Sequence, residues 1–178
     1  MPATDLMARA RRVRLLSCDV DGVLTDGKIY VDEDGRELKA YSSLDGVGMK
    51  MLERSGIVVA WITGSRSPAV AQRARNLGIG HVVQGAEDKL AAWQRLRGEL
   101  SVAPEDCAHI GDDLPDLPVI ARCGLGVTVP HAPEPLRRRA HYITRVGGGR
   151  GAVREIAELL LAARGTLDEV VRAYEDAS

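Results

Sequence analysis

The sequence has no phenylalanine and only 3% aromatic residues, a scarcity that carries no functional message by itself. It also lacks an excess of charge: 24 Lys and Arg stand against 25 Asp and Glu, for a formal net charge of -1. Such a chain has no whole-molecule field to draw nucleic acid or an anionic membrane, so anion recognition must come from local groups and the expected partner is small. Cysteine is sparse as well. Cys18, Cys107 and Cys123 are odd in number, lack CxxC spacing and sit in or beside apolar runs. That pattern argues against a disulfide scaffold or zinc site and for reduced core residues in a reducing compartment. No apolar run is long enough to span a bilayer. Residues 1–14 alternate short apolar stretches with Arg9, Arg11, Arg12 and Arg14 and lack the apolar centre of a signal peptide. The cytoplasm is the expected location.

What is present reads as a soluble globular protein, with 45% hydrophobic and 28% charged residues. A length of 178 residues fits one domain, whose core can bury roughly two-thirds of the unfolded chain's surface. The expected layout is one domain over 1–178, with an N-terminal arm (1–12), a hairpin (27–41) and a C-terminal helix or tail (165–178). Residues 13–20 are Val- and Leu-rich and end in Asp-Val-Asp-Gly, a buried parallel strand entering a loop. Similar runs recur at 57–62, 81–83, 108–110 and 125–129. Helical patterns lie between them: one opened by Pro68 and stopped by Gly78, then 89–100, 114–121, 152–164 and 166–177. Alternating strand and helix predicts a doubly wound, Rossmann-like α/β fold, a parallel sheet with helices on both faces and its ligand crevice at the strands' carboxyl ends. Residues 27–41 break the rhythm as two short strands around Asp32-Glu33-Asp34-Gly35, a projecting β-hairpin.

The chemistry gathers at the strand ends. Asp19 and Asp21 close the first strand, where two carboxylates repel unless a proton or cation lies between them. A hard divalent cation with oxygen ligands, Mg²⁺ above all, resolves that repulsion. Asp112, Asp113 and Asp116 follow the strand at 108–110. Thr63, Gly64 and Ser65 offer hydroxyls and amides for phosphate oxygens ahead of a helix, and Lys89 adds a point positive charge. Carboxylates, a metal, a hydroxyl and a lysine on one sheet edge match phosphoryl transfer.

Taken singly, each feature has a plainer reading. An isolated Asp-x-Asp more often solvates a loop, Lys89 alone is a surface lysine, and Asp116 reads equally as a charge at a helix start. His81, His109, His131 and His141 lack metal-ligand spacing and read as structural; Trp61 and Trp93 read as packing residues. The ordered conjunction favours the site.

Asp19-Val20-Asp21-Gly22-Val23-Leu24-Thr25, then Thr63, Lys89 and Gly111-Asp112-Asp113, resemble in order the four motifs of haloacid dehalogenase-like phosphatases. Leu38-Lys39-Ala40-Tyr41, Asp45-Gly46-Val47-Gly48, Gln84-Gly85 and the stretch from Gly148 to Glu155 further resemble the 3-deoxy-D-manno-octulosonate 8-phosphate phosphatase family. The resemblance spans nearly everything after Val13. It implies that Asp19 forms an aspartyl phosphate and that Asp21 protonates the leaving oxygen and then activates water. Asp19, the Asp21 carbonyl and Asp112 would hold Mg²⁺, Thr63 and Lys89 would steady the phosphoryl group, and Asp113, with Asp116 also supporting, would orient Lys89 or the metal waters. Sugar contacts would come from Ser42, Ser43, Leu44, Asp45, Gly46, Lys50 and Arg73, with Gly64, Ser65 and Arg66 beside them. Leu44 and Ser65 depart from the family, which commonly carries arginine at both positions.

The implied function is hydrolysis of a phosphorylated sugar acid in lipopolysaccharide biosynthesis. The alternatives are a related nonulosonate 9-phosphate as substrate, a receiver-like signalling domain, and a non-catalytic oligomerisation module. Neither 26–45 nor 63–89 is long enough for a cap domain, so cover from another subunit is expected, and the family resemblance implies a homotetramer in which the hairpin helps close the neighbouring site.

Overall fold

A computed structural model of the chain describes residues 3–176. In chain order the elements are α1 (Ala3–Arg12), β1 (Leu15–Cys18), β2 (Tyr30–Val31), β3 (Glu37–Leu38), α2 (Ser43–Arg54), β4 (Val58–Thr63), α3 (Pro68–Leu77) and β5 (His81–Gln84). There follow α4 (Lys89–Glu99), β6 (Cys107–Gly111), α5 (Leu117–Ile120), β7 (Leu125–Thr128), α6 (Glu134–Arg139), β8 (Tyr142–Ile143), α7 (Ala152–Arg164) and α8 (Leu167–Glu175).

Six strands form one parallel sheet in the order β5-β4-β1-β6-β7-β8. From β1 the chain moves outward through β4 to β5, returns to the other side of β1 as β6, and continues to the opposite edge. The strand order therefore reverses at β1, and a doubly wound sheet opens its ligand crevice at the carboxyl ends there.

Successive strand residues face opposite sides, and here both sides are buried. Leu16, Cys18, Val59, Trp61, Ala108 and Ile110 pack in one core with residues of α1, α2, α3 and α7. Leu15, Ala60, Ile62 and Cys107 pack in a second with Trp93 and Leu96 of α4. Such double burial explains why the strands read as continuous apolar runs. Ser17 and His109 are register partners on β1 and β6 and are both fully buried, polar residues where the alternation calls for apolar ones. Among the described residues no helix is long and apolar enough to cross a membrane.

Several elements differ from the sequence expectation. The expected N-terminal arm is helix α1, tied down by Arg9, which donates to the Gly124 carbonyl (2.8 Å), and Arg11, which donates to the Ala163 carbonyl (2.9 Å); Met1 and Pro2 lie outside the described residues. The helix expected over 114–121 is a tight turn, Leu114–Asp116, followed by α5. Pro115 and Pro118 lack the amides that a continuous helical ladder needs. Of the expected sugar contacts at 42–46, Ser42 is the N-cap residue and 43–46 form the first turn of α2, and β8 adds an edge strand that its two residues did not announce. The C-terminal helix ends at Glu175; Ala177 lies outside the described residues.

The hairpin is present but short: Tyr30 pairs with Leu38 and Val31 with Glu37. Asp32 Oδ1 closes its turn by accepting from the amides of Asp34 and Arg36. Only this hairpin separates β1 from α2, and only α3 and β5 separate β4 from α4, so neither interval holds a cap domain.

Candidate active site

Asp19 stands one residue beyond β1, and its amide still donates to the Ile110 carbonyl at 2.9 Å, which fixes it beside the end of β6. Its Oδ1 accepts from the Val20 amide at 2.7 Å and its Oδ2 meets Lys89 Nζ at 2.8 Å. Lys89 opens α4, where Asp88 caps the helix by accepting from the Ala91 amide. The same ammonium lies 2.8 Å from Asp116 Oδ1. Asp116 is fully buried and also contacts His109 Nε2 at 3.0 Å, while His109 Nδ1 lies 2.8 Å from Ser17 Oγ. Asp112 comes from the loop after β6. Gly22 adopts φ +85°, and a Cβ there would sit 1.9 Å from Asp112 Oδ2, so both the backbone conformation and the close approach require glycine.

Asp19, Asp112 and Asp116 each offer one oxygen, all within 4.8 Å of one another. Burial, then the neighbouring Asp116, raises Asp19 to about 6 against the pull of Lys89. Burial, with Asp19 and Asp116 close by, pushes Asp112 up to about 8. Asp116 moves the opposite way: burial alone would raise it, but His109 and Lys89 hold it below the usual carboxylate range. Burial likewise works against the Lys89 charge, yet the two carboxylates keep it above its ordinary value. Three acids thus converge on one another, and two of them, Asp19 and Asp116, meet the Lys89 ammonium. Asp116 Oδ2 is buried and, among the described residues, has no hydrogen-bond partner. An all-oxygen donor set with an excess of negative charge and a spare buried oxygen fits a hard divalent cation.

Asp21 stands outside that triad, its side chain 38% exposed, with Oδ1 2.5 Å from Lys39 Nζ. Thr63 ends β4, buried, and its Oγ1 accepts from the Ser65 amide at 3.1 Å. Gly64 and Ser65 follow at the same sheet edge. Asp113 does not reach Lys89: it is exposed and caps its own turn, Oδ1 accepting from the Leu114 amide at 2.7 Å. The lysine instead meets Asp116, one turn later, which corrects the expectation that Asp113 orients Lys89.

The expected sugar contacts divide. Ser42 precedes α2 as its N-cap residue without a side-chain cap bond, and Ser43 and Leu44 are exposed on its first turn. Asp45 is turned inward: its carboxylate accepts from the amides of Arg154 (2.9 Å) and Gly151 (3.3 Å) at the start of α7. Gly46 lies against the Arg73 guanidinium, which sits 5.8 Å over the Tyr41 ring and keeps a buried Nε that has no hydrogen-bond partner among the described residues. Arg66 is exposed and lies against Gly85, and Lys50 is exposed two turns along α2.

Two residues at the site escaped the sequence reading of individual roles. His109 was legible only through strand alternation, which puts it on the Ser17 side of β6. Lys39 carried no signal beyond its place in Leu38-Lys39-Ala40-Tyr41, because its contact with Asp21 spans 18 residues.

The haloacid dehalogenase-like hydrolase family matches residues 36–124. The 3-deoxy-D-manno-octulosonate 8-phosphate phosphatase of Yersinia pestis is 50% identical over 166 residues, 93% of this chain and 89% of that protein. The corresponding phosphatase of Escherichia coli K12 is 49% identical over 167 residues, 94% and 89% of the two chains. A crystal structure of the Moraxella catarrhalis phosphatase, in complex with magnesium ion, phosphate ion and KDO, superposes with a TM-score of 0.95 at 42% identity, covering 97% of this chain and 99% of that one. The sequence relatives, the shared fold and the acids at the switch point lead to one conclusion: this chain belongs to the 3-deoxy-D-manno-octulosonate 8-phosphate phosphatase family of the haloacid dehalogenase-like hydrolases.

Proposed function

We propose that the protein, acting as one domain over residues 1–178, is a magnesium-dependent phosphomonoesterase that hydrolyses a phosphorylated sugar acid, 3-deoxy-D-manno-octulosonate 8-phosphate, through an aspartyl phosphate on Asp19. The observation that carries this reading is the meeting of Asp19, Asp112 and Asp116 within 4.8 Å, with Lys89 bridging two of them, at the sheet's switch point. The magnesium ion, phosphate and KDO of the Moraxella catarrhalis structure support it.

Asp19, Asp112 and the Asp21 carbonyl would hold Mg²⁺, with the spare Asp116 oxygen beside them. Bound there, the ion supplies neutralisation of the negative charge on the transferring group. Asp19 attacks phosphorus as the bond to the sugar oxygen breaks, and Asp21 gives that oxygen its proton. Asp21 then takes a proton from water while the water oxygen bonds phosphorus and the bond to Asp19 breaks, releasing phosphate. Lys89 and the Thr63 hydroxyl, with the Gly64 and Ser65 amides, hold phosphoryl oxygens. Arg73, whose Nε has no hydrogen-bond partner among the described residues, is the cation placed to meet the sugar acid beside Gly46.

The exposed apolar residues of the hairpin, Ile29, Val31 and Leu38, are assigned to a homotetramer interface that covers an otherwise open site. Three buried free cysteines agree with a cytoplasmic setting.

The test is phosphate release across a panel of sugar acid phosphates, including a nonulosonate 9-phosphate. The 8-phosphate should give the highest kcat/KM, excess chelator should stop turnover until Mg²⁺ returns, and Asp19→Asn should fold but not turn over. Preference for the 9-phosphate would reassign the substrate; an active Asp19→Asn enzyme would remove the mechanism.

A further inference from the structure

Lys39 stands one residue beyond β3, the hairpin's return strand, where the chain leaves the hairpin for the body of the protein. The hairpin around it is open to solvent, with Ile29, Val31 and Leu38 all more than half exposed. The Lys39 side chain is instead 3% exposed. Covering an ammonium costs free energy unless carboxylates meet it, and two do: Asp21 Oδ1 at 2.5 Å and Glu37 Oε1 at 2.8 Å. Two residues later Tyr41 stacks on the buried Trp61, ring centroids 6.2 Å apart, which seats this end of the hairpin on the sheet. Asp21 itself follows β1 on a loop, and among the described residues its carboxylate has no hydrogen-bond partner besides Lys39.

We infer that Lys39 is a positioning residue for Asp21: by anchoring Oδ1 it turns Oδ2 toward the reacting group and makes the foot of the hairpin part of the acid/base apparatus. The inference rests on the reading of Asp21 as proton donor and acceptor. Among the described residues Oδ2 takes part in no hydrogen bond, which leaves it to carry the proton to the leaving oxygen and to take one back from water. Glu37 also meets the Lys39 ammonium at 2.8 Å, so two carboxylates hold it. A lysine that merely stapled the hairpin down would show no dependence on the leaving group.

The experiment compares kcat/KM of the wild type, Lys39→Met and Asp21→Asn on 3-deoxy-D-manno-octulosonate 8-phosphate and on p-nitrophenyl phosphate, whose phenolate departs without a proton. Phenyl phosphate replaces the sugar phosphate if the wild type does not turn the latter over. General acid catalysis contributes roughly 10²–10⁴-fold, so Lys39→Met should lose about 10- to 100-fold on the poor leaving group and less than about 3-fold on p-nitrophenyl phosphate. Lys39→Arg should recover part of the loss. Equal losses on both substrates, or none, overturn the inference. If Lys39→Met does not fold, Lys39→Gln is read by the same comparison. Asp21→Asn separates the two readings: if it loses equally on both substrates, the acid role of Asp21 falls; if it discriminates while the Lys39 variants do not, only the role of Lys39 falls.

Discussion

Asp116 shows how much one side chain organises. It is fully buried and touches Lys89 and His109 through one oxygen, while the other has no hydrogen-bond partner among the described residues. Removing it would leave the Lys89 ammonium covered and balanced by Asp19 alone, and breaking a buried pair costs about 3–5 kcal/mol. Asp116→Ala should therefore lower the urea midpoint by a corresponding amount and abolish magnesium-dependent turnover, with Asp116→Asn falling between it and the wild type. An Ala variant as stable and as active as the parent would contradict this account. The pairing of Asp19 with Lys89 could be anticipated from their places at strand end and helix start. The choice between Asp113 and Asp116 could not, because it depends on the tight turn at Leu114–Asp116, which points Asp113 outward as a cap and carries Asp116 back under Lys89.

At the scale of elements, the loop before α7 leans on the loop that carries Asp19 and Asp21. A Cβ at Gly148 would lie 1.8 Å from the Gly22 carbonyl oxygen and 2.7 Å from that of Thr25, both backbone atoms that cannot turn aside. Gly148→Ala should displace the nucleophile loop, cost about 1–3 kcal/mol of stability and reduce kcat/KM at least 10-fold by the ~1 Å sensitivity of catalytic geometry. At Gly147 the nearest atoms are 3.4 Å away on the His131 ring, so Gly147→Ala serves as the control that stays near wild type. Equal behaviour of the two variants would dismiss the close approach as a constraint. The sequence marked this stretch as a glycine-rich connector before a helix, but the atoms it meets are more than a hundred residues away. Asp45 is similar: its motif was legible, yet the structure uses its carboxylate to cap α7.

For the molecule as a whole, the site is uncapped and the hairpin presents Ile29, Val31 and Leu38 to solvent. Clustered exposed apolar side chains are a feature of association surfaces. Sedimentation analysis should find a homotetramer, and Leu38→Asp should shift it toward smaller species with reduced activity. A fully active wild-type monomer would defeat the proposed assembly.

The sequence by itself determined the alternation of strand and helix, the doubly wound sheet, the presence of Asp19, Asp21, Thr63 and Asp112 at strand ends and that of Lys89 at a helix start, because period and punctuation are local properties of the chain. Only the tertiary structure decided which acid meets Lys89, that His109 and Ser17 lie behind Asp116, and that Lys39 closes on Asp21. Those choices depend on parallel register between β1 and β6 and on the seating of the hairpin, contacts between residues distant in sequence that no local pattern records.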